Sequence, residues 1–160
     1  FEMDVTAHSL NMTPERAADL GVDDGGSSRQ DLYDMLGTAD AVTVHVAANP
    51  QSDDLCDERF FDAMREGAVF INTSRGSVVD EAALARAARE KGIRACLDVF
   101  RAEPASAEAS WDFPYADAPG VYATHHVGAS TAQAQRAVGE EVVRIVSTQM
   151  ESGVWLNRVN

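Results

Sequence analysis

Four residues of this chain have types and positions suited to joint chemistry: Arg75, Asp98, Glu103 and His126. Each lies in a polar stretch that directly follows an apolar run: Asn72-Thr73-Ser74-Arg75-Gly76, Asp98-Val99-Phe100-Arg101-Ala102-Glu103-Pro104, and the segment from Thr124 through His125-His126-Val127-Gly128-Ala129 to Thr131. A guanidinium is a planar fork of donors that suits a carboxylate. An imidazole titrates near neutral pH and can give or take a proton. A carboxylate at the end of a buried strand is costly unless it is hydrogen-bonded. Each residue also has a plainer reading. Arg75 could make a structural ion pair, Asp98 could cap a helix, and a lone histidine is often structural.

The elements that would position them follow from hydrophobic spacing. Strands are expected at Met3 to His8, Ala41 to Val46, Ala68 to Asn72, Ile93 to Phe100 and Gly120 to Ala123. Helices are expected from Thr13-Pro14 to Gly21, from Ser28 to Gly37, from Asp57 to Glu66 with Phe60, Phe61 and Met64 on one face, and from Asp80 to Glu90. A long closing helix runs from Thr131 to Met150, with Ala134, Ala137, Val138, Val142, Ile145 and Val146 along its inner face. Asp23 to Ser28 reads as a turn-rich linker, and Glu103 to Gly120 as the one long irregular stretch. Strands alternating with helices imply βαβ crossovers, and near-continuous apolar strands imply a parallel sheet covered on both faces. The fold class is therefore α/β, a doubly wound parallel sheet. In such a sheet ligands bind outside the carboxyl ends of the strands, so one edge would gather Arg75, Asp98, Glu103 and His126.

Composition narrows the partners. The chain has 160 residues, and its acids outnumber its bases 26 to 13 for a net charge of -13, with Lys91 as the sole lysine. Such a surface repels nucleic-acid phosphates and anionic membranes. Adaptation to high salt and high-GC codon usage explain the acidity equally well. Apolar stretches end well short of the roughly 20 residues of a membrane helix, and no signal peptide opens the chain, so a cytoplasmic protein is expected. Cys56 and Cys96 lack metal-ligand spacing and read as packed thiols, with no metal site.

Taken together, ADAVTVHV, INTSRGSVVDEAAL, ACLDVFRAEP and THHVGAST resemble, in order and spacing, the nucleotide-binding domain of the D-isomer-specific 2-hydroxyacid dehydrogenases. The GAST tetrad and the closing Asn157-Arg158-Val159-Asn160 are most similar to the phosphoglycerate dehydrogenase branch. The resemblance implies a Rossmann-like domain and hydride transfer between a nicotinamide cofactor and a D-2-hydroxy or 2-oxo acid, in a homodimer. It makes Arg75 the clamp on the substrate's carboxylate and neighbouring carbonyl oxygen, His126 the proton donor, and Glu103 the partner that fixes the imidazole tautomer and favours its protonated form. It makes Asp98 the acceptor for the nicotinamide carboxamide. Ser9, Val46, Thr73, Ser74 and Arg75, with His126, Val127, Gly128 and Ala129, would line the cofactor.

Departures from the family pattern bear on these expectations. The Gly-rich phosphate loop and the first strand would precede Phe1, and no GxGxxG occurs, so residues 1–160 are expected to be a partial dinucleotide-binding domain without the substrate domain. Ser9 stands where an acid usually binds the ribose hydroxyls, which admits NADP, while no arginine at position 10 or 11 waits for its phosphate; NAD is favoured. His125 and Ala47 replace two usual prolines. Formate dehydrogenases pair the histidine with glutamine before proline, whereas Glu103 precedes Pro104 here. Metal-dependent hydrolysis fails because adjacent histidines on an extended segment point to opposite sides. The competing reading is a non-catalytic binding or dimerisation module derived from such an enzyme.

Overall fold

Every α-helix among the described residues starts behind a side chain that takes the place of a missing backbone acceptor. Thr13, Ser28, Asp57, Asp80 and Thr131 accept from first-turn amides of α1 (Pro14–Leu20), α2 (Arg29–Leu36), α3 (Glu58–Ala63), α4 (Glu81–Glu90) and α5 (Ala132–Ser152). At α2 the cap is reciprocal, because Asp31 accepts from the Ser28 amide while Ser28 accepts from Asp31. Those hydrogen bonds hold the Asp31 carboxyl below the usual carboxylate range. Gly21 closes α1 at φ 67°, a left-handed conformation that favours glycine. The end of α3 is closed by the sole lysine, whose Nζ donates to the carbonyls of Phe61, Asp62 and Met64 at 3.0, 2.6 and 2.5 Å.

The computed structural model describes residues 2–104 and 112–158. The chain divides into two compact units, Phe1–Ala123 and Thr124–Asn160. In the first unit β3 (Ala41–Val44), β4 (Val69–Asn72), β5 (Arg94–Leu97) and β6 (Val121–Ala123) form a parallel sheet in that order. A second parallel pair joins β1 (Thr6–Ala7) to β2 (Asp23–Asp24). The α/β class and the parallel crossovers are as the sequence predicts. No ladder among the described residues joins β1 to β3, so the sheet breaks where the doubly wound order 3-2-1-4-5-6 has its first strand.

Several expectations need correction. Asp23–Asp24 is a strand and not part of a linker, because the Asp23 amide donates to Val5 O at 2.8 Å and the Gly25 amide to Ala7 O at 2.9 Å. The first strand shrinks from six residues to two. Within the first unit Val42, Val44, Phe70, Ala95 and Leu97 share a core with Leu36, Phe60, Phe61 and Leu84, whereas on the other face of the sheet Val69 and Ile71 are half-buried and Ala41, Thr43, Arg94 and Tyr122 are exposed. The strands looked continuously apolar because alanine, threonine and cysteine alternate there with larger core residues. Cys96 is accordingly exposed on that second face, while Cys56 is buried.

Phe60, Phe61 and Phe70 meet edge to face at centroid distances of 5.1 to 5.9 Å, which fixes α3 against β4. The second unit contains α5. No residue of α5 is buried, and Val138 and Val142 of its apolar stripe are 62% and 54% exposed. No helix among the described residues is long and apolar enough to cross a membrane. Part of the irregular stretch, residues 105–111, lies outside the described residues.

Candidate active site

Adjacent parallel strands bring two of the expected segments side by side. β4 pairs with β5 in the register Asn72↔Leu97, and the Asp98 amide continues the ladder to Asn72 O at 3.1 Å. The segments carrying Arg75 and Glu103 therefore leave the sheet from neighbouring strands, in one unit. Asp98 is buried at the base of the second segment, as expected.

The Arg75 loop is shaped by a residue that sequence reasoning passed over. Asn72, 1% exposed, accepts from the Ser74 amide at 2.9 Å and the Ser74 hydroxyl at 2.8 Å, and its Nδ2 donates to Arg75 O at 2.9 Å. One buried amide side chain thus folds the loop back on its own strand end, each bond contributing on the order of 1 kcal/mol. The signal was present: an asparagine two residues after Phe70 on the core side of a strand must find polar partners. Arg75 itself is exposed, and its Nη1 donates to Ser74 O at 2.6 Å.

Gly76 fastens this loop to the next. A Cβ at Gly76 would stand 1.9 Å from the carbonyl carbon of Phe100 and 2.4 Å from the Arg101 nitrogen, so the two backbones touch. Only glycine permits that approach. Phe100 is buried in turn, with its ring 5.6 Å from Phe113 and 6.3 Å from Tyr115 between centroids. Arg75 and Glu103, one residue before and three after the glycine's contacts with Phe100, thereby stand on joined loops.

The remaining expected residues lie elsewhere. Val46 is half-buried two residues beyond β3, and Thr73 is exposed. Ser9 follows β1 in the two-stranded sheet, where its amide donates to Gly26 O at 3.4 Å and its hydroxyl accepts from Asn11. His126, Val127, Gly128 and Ala129 belong to the second unit. His126 has φ 59°, an uncommon conformation for a residue other than glycine that is enriched for histidine and common at functional sites. Ser130 closes a turn there by donating to Val127 O at 2.8 Å, just before the Thr131 cap.

A nicotinamide dinucleotide makes separate demands at its two ends. The buried carboxylate of Asp98 is an acceptor suited to a carboxamide, and the Thr73–Gly76 loop offers a shaped backbone beside it. The diphosphate needs a glycine-rich helix start with unused amides. Each α-helix start among the described residues is instead occupied by its own Thr, Ser or Asp cap. The residues present fit the nicotinamide end and not the diphosphate. Cys56 offers no nucleophile, since burial, with Asp57 adding to it, pushes its thiol up to about 12.

Over 147 residues the chain is 36% identical to a D-3-phosphoglycerate dehydrogenase of Mycobacterium leprae, covering 91% of this chain and 26% of that relative. It thus spans about a quarter of the length of that curated relative. A putative D-isomer specific 2-hydroxyacid dehydrogenase from Polaromonas sp. JS6 66 superposes with a TM-score of 0.78 at 27% identity, over 97% of this chain and 46% of that one. A D-isomer specific 2-hydroxyacid dehydrogenase from Xanthobacter autotrophicus Py2, in complex with NADPH and MES, does so with a TM-score of 0.72 at 29% identity, over 99% and 61%. The family model described as D-isomer specific 2-hydroxyacid dehydrogenase, NAD binding domain, matches residues 1–128, and the chain belongs to that family.

Proposed function

We propose that this chain is the larger part of the cofactor-binding domain of an enzyme that interconverts a D-2-hydroxy acid and its 2-oxo acid. The substrate domain lies outside residues 1–160 in this reading. The observation that carries it is the joining of the Arg75 and Glu103 loops at Gly76, above a buried Asp98. Phosphoglycerate and its 2-oxo counterpart are the first substrates to test, in line with the similarity to phosphoglycerate dehydrogenases.

Bound nicotinamide supplies or accepts the hydride at the substrate's C2. Asp98 accepts a hydrogen bond from the carboxamide and so orients the ring. Arg75 holds the substrate carboxylate and the adjacent carbonyl oxygen with its fork, which fixes the face presented to the hydride. His126 donates its proton to that oxygen as the alcohol forms and removes it in the reverse direction. Glu103 acts through His126, as a positioning residue that favours the imidazolium. Ser9, Val46, Thr73 and Ser74, with Val127, Gly128 and Ala129, line the cofactor largely through backbone groups. Ser9 places no carboxylate against a 2'-phosphate, yet no arginine waits for one at position 10 or 11, and NAD is preferred to NADP. A cytoplasmic homodimer belongs to the same proposal.

The test is oxidation of NADH and NADPH by the intact protein that carries this chain, with glyoxylate, pyruvate, hydroxypyruvate and phosphohydroxypyruvate. Turnover with at least one of them, and a raised KM for that acid in Arg75→Lys, is expected. No oxidation with any of the four would overturn the reading and favour a non-catalytic module.

A further inference from the structure

Arg101 follows the buried Phe100 and has no part in the reaction as described above, yet its side chain reaches two separate chain segments, 53–54 and 77–79. Its Nη2 donates to Asp54 Oδ1, to Ser77 O at 2.7 Å and to Val79 O at 3.4 Å, and its Nη1 lies 3.5 Å from Asp53 Oδ1. Its backbone amide donates to Glu81 Oε1, in the first turn of α4, at 3.0 Å. The Asp54 amide also donates to Ser77 O at 3.0 Å, so one carbonyl serves both the arginine and the segment it grips. Two further backbone bonds, Cys56 to Val78 and Asp80 to Cys56, run the 54–56 segment alongside 78–80.

We propose that Arg101 is a positioning residue that locks the Arg75 loop and the Glu103 loop into one preformed substrate-orienting surface; this rests on the dehydrogenase reading above. The lock has two sides. Gly76 presses the Arg75 loop against the Phe100–Arg101 backbone, and the guanidinium then reaches around the turn at residues 76–78 to hold its far side. Isolated exposed ion pairs contribute little, but a planar cation shared among two carboxylates and two carbonyls is a network. Its removal leaves Asp53, Asp54 and the carbonyl oxygens of Ser77 and Val79 facing one another with no cation between them. The turn then loosens, and Arg75, one residue before it, loses its fixed position. A lysine could satisfy one or two of these acceptors as a point charge but not the set.

The experiment compares wild type, Arg101→Met, Arg101→Lys and Asp54→Asn in the intact protein. Amide hydrogen exchange, measured without substrate or cofactor, reads the lock itself. Arg101→Met is expected to speed exchange in peptides covering 73–79 and 98–104, with the rest of the sheet unchanged. Steady-state kinetics should show the KM for the oxo acid rising about tenfold while the KM for the nicotinamide cofactor stays within about twofold. Arg101→Lys should fall between, and Asp54→Asn should move both readouts in the same direction by less. If Arg101→Met does not fold, Asp54→Asn decides alone. Unchanged exchange in both loops, or a kcat loss with both KM values unmoved, would overturn the proposal. Arg75→Lys, assayed alongside, separates the two claims: wild-type kinetics there would sink the clamp reading, while the exchange data would still judge whether Arg101 fastens the loops.

Discussion

The two stretches that carry the candidate chemistry are held in different ways. The loop after β4 is bound into its unit from below by Asn72, from one side by the backbone of Phe100 and from the other by Arg101. The stretch after β6, in the second unit, has no buried residue from Thr124 to Thr131, and it carries the left-handed His126, the Val127–Ser130 turn and the Thr131 cap. Arg75, the proposed substrate clamp, thus stands on a loop fastened to the first unit's interior, while His126, the proposed proton donor, stands in an exposed stretch. Damage to the first should cost stability and orientation together. Damage to the second should cost chemistry with little loss of stability.

Substitution at Gly76 is the most severe way to break this contrast. Gly76→Ala places a methyl within 1.9 Å of backbone that cannot rotate aside, and chemical denaturation should show a loss of about 3 kcal/mol in the first unit. A near-neutral result would mean that the two loops are not in contact. Asn72→Leu keeps the branched shape but strands the Ser74 amide and hydroxyl and the Arg75 carbonyl, and should cost about 2 to 3 kcal/mol in the same assay. A cost below about 0.5 kcal/mol would show that the loop folds without it. On the other side, Thr131→Ala removes a single exposed cap and should cost about 1 kcal/mol, read as faster amide exchange in the first turn of α5. Exchange in residues 73–79 should not change, and a change there would erase the distinction.

How much of this was legible in the sequence depends on which force sets each feature. The starts of the five α-helices among the described residues were readable, because each rests on a local cap that one Thr, Ser or Asp announces. The order of strands and helices was readable from apolar spacing. Asp23–Asp24 was not, since its ladder to β1 uses backbone groups and its side chains look like a turn. The exposure of Ala41 and Cys96 on the sheet's second face was hidden because small residues pass for core. Arg75, Asp98 and Glu103 stand out in the sequence as candidates because their types imply chemistry. Asn72, Gly76 and Arg101 act through burial, close approach and long-range contacts, with partners up to 47 residues away in the sequence, and spacing alone does not display these.

The central claim is that His126 exchanges the proton and that Glu103 acts through it. The pH dependence of 2-oxo acid reduction by the intact protein, measured for wild type, Glu103→Gln and His126→Ala, tests this most directly. Glutamine keeps a hydrogen bond but removes the charge that favours imidazolium, so the alkaline limb should move to lower pH with the cofactor KM unchanged. His126→Ala should lower the rate by about 10² to 10⁴-fold. A Glu103→Gln profile that overlays the wild type, or a His126→Ala rate within a few fold of it, would contradict the account.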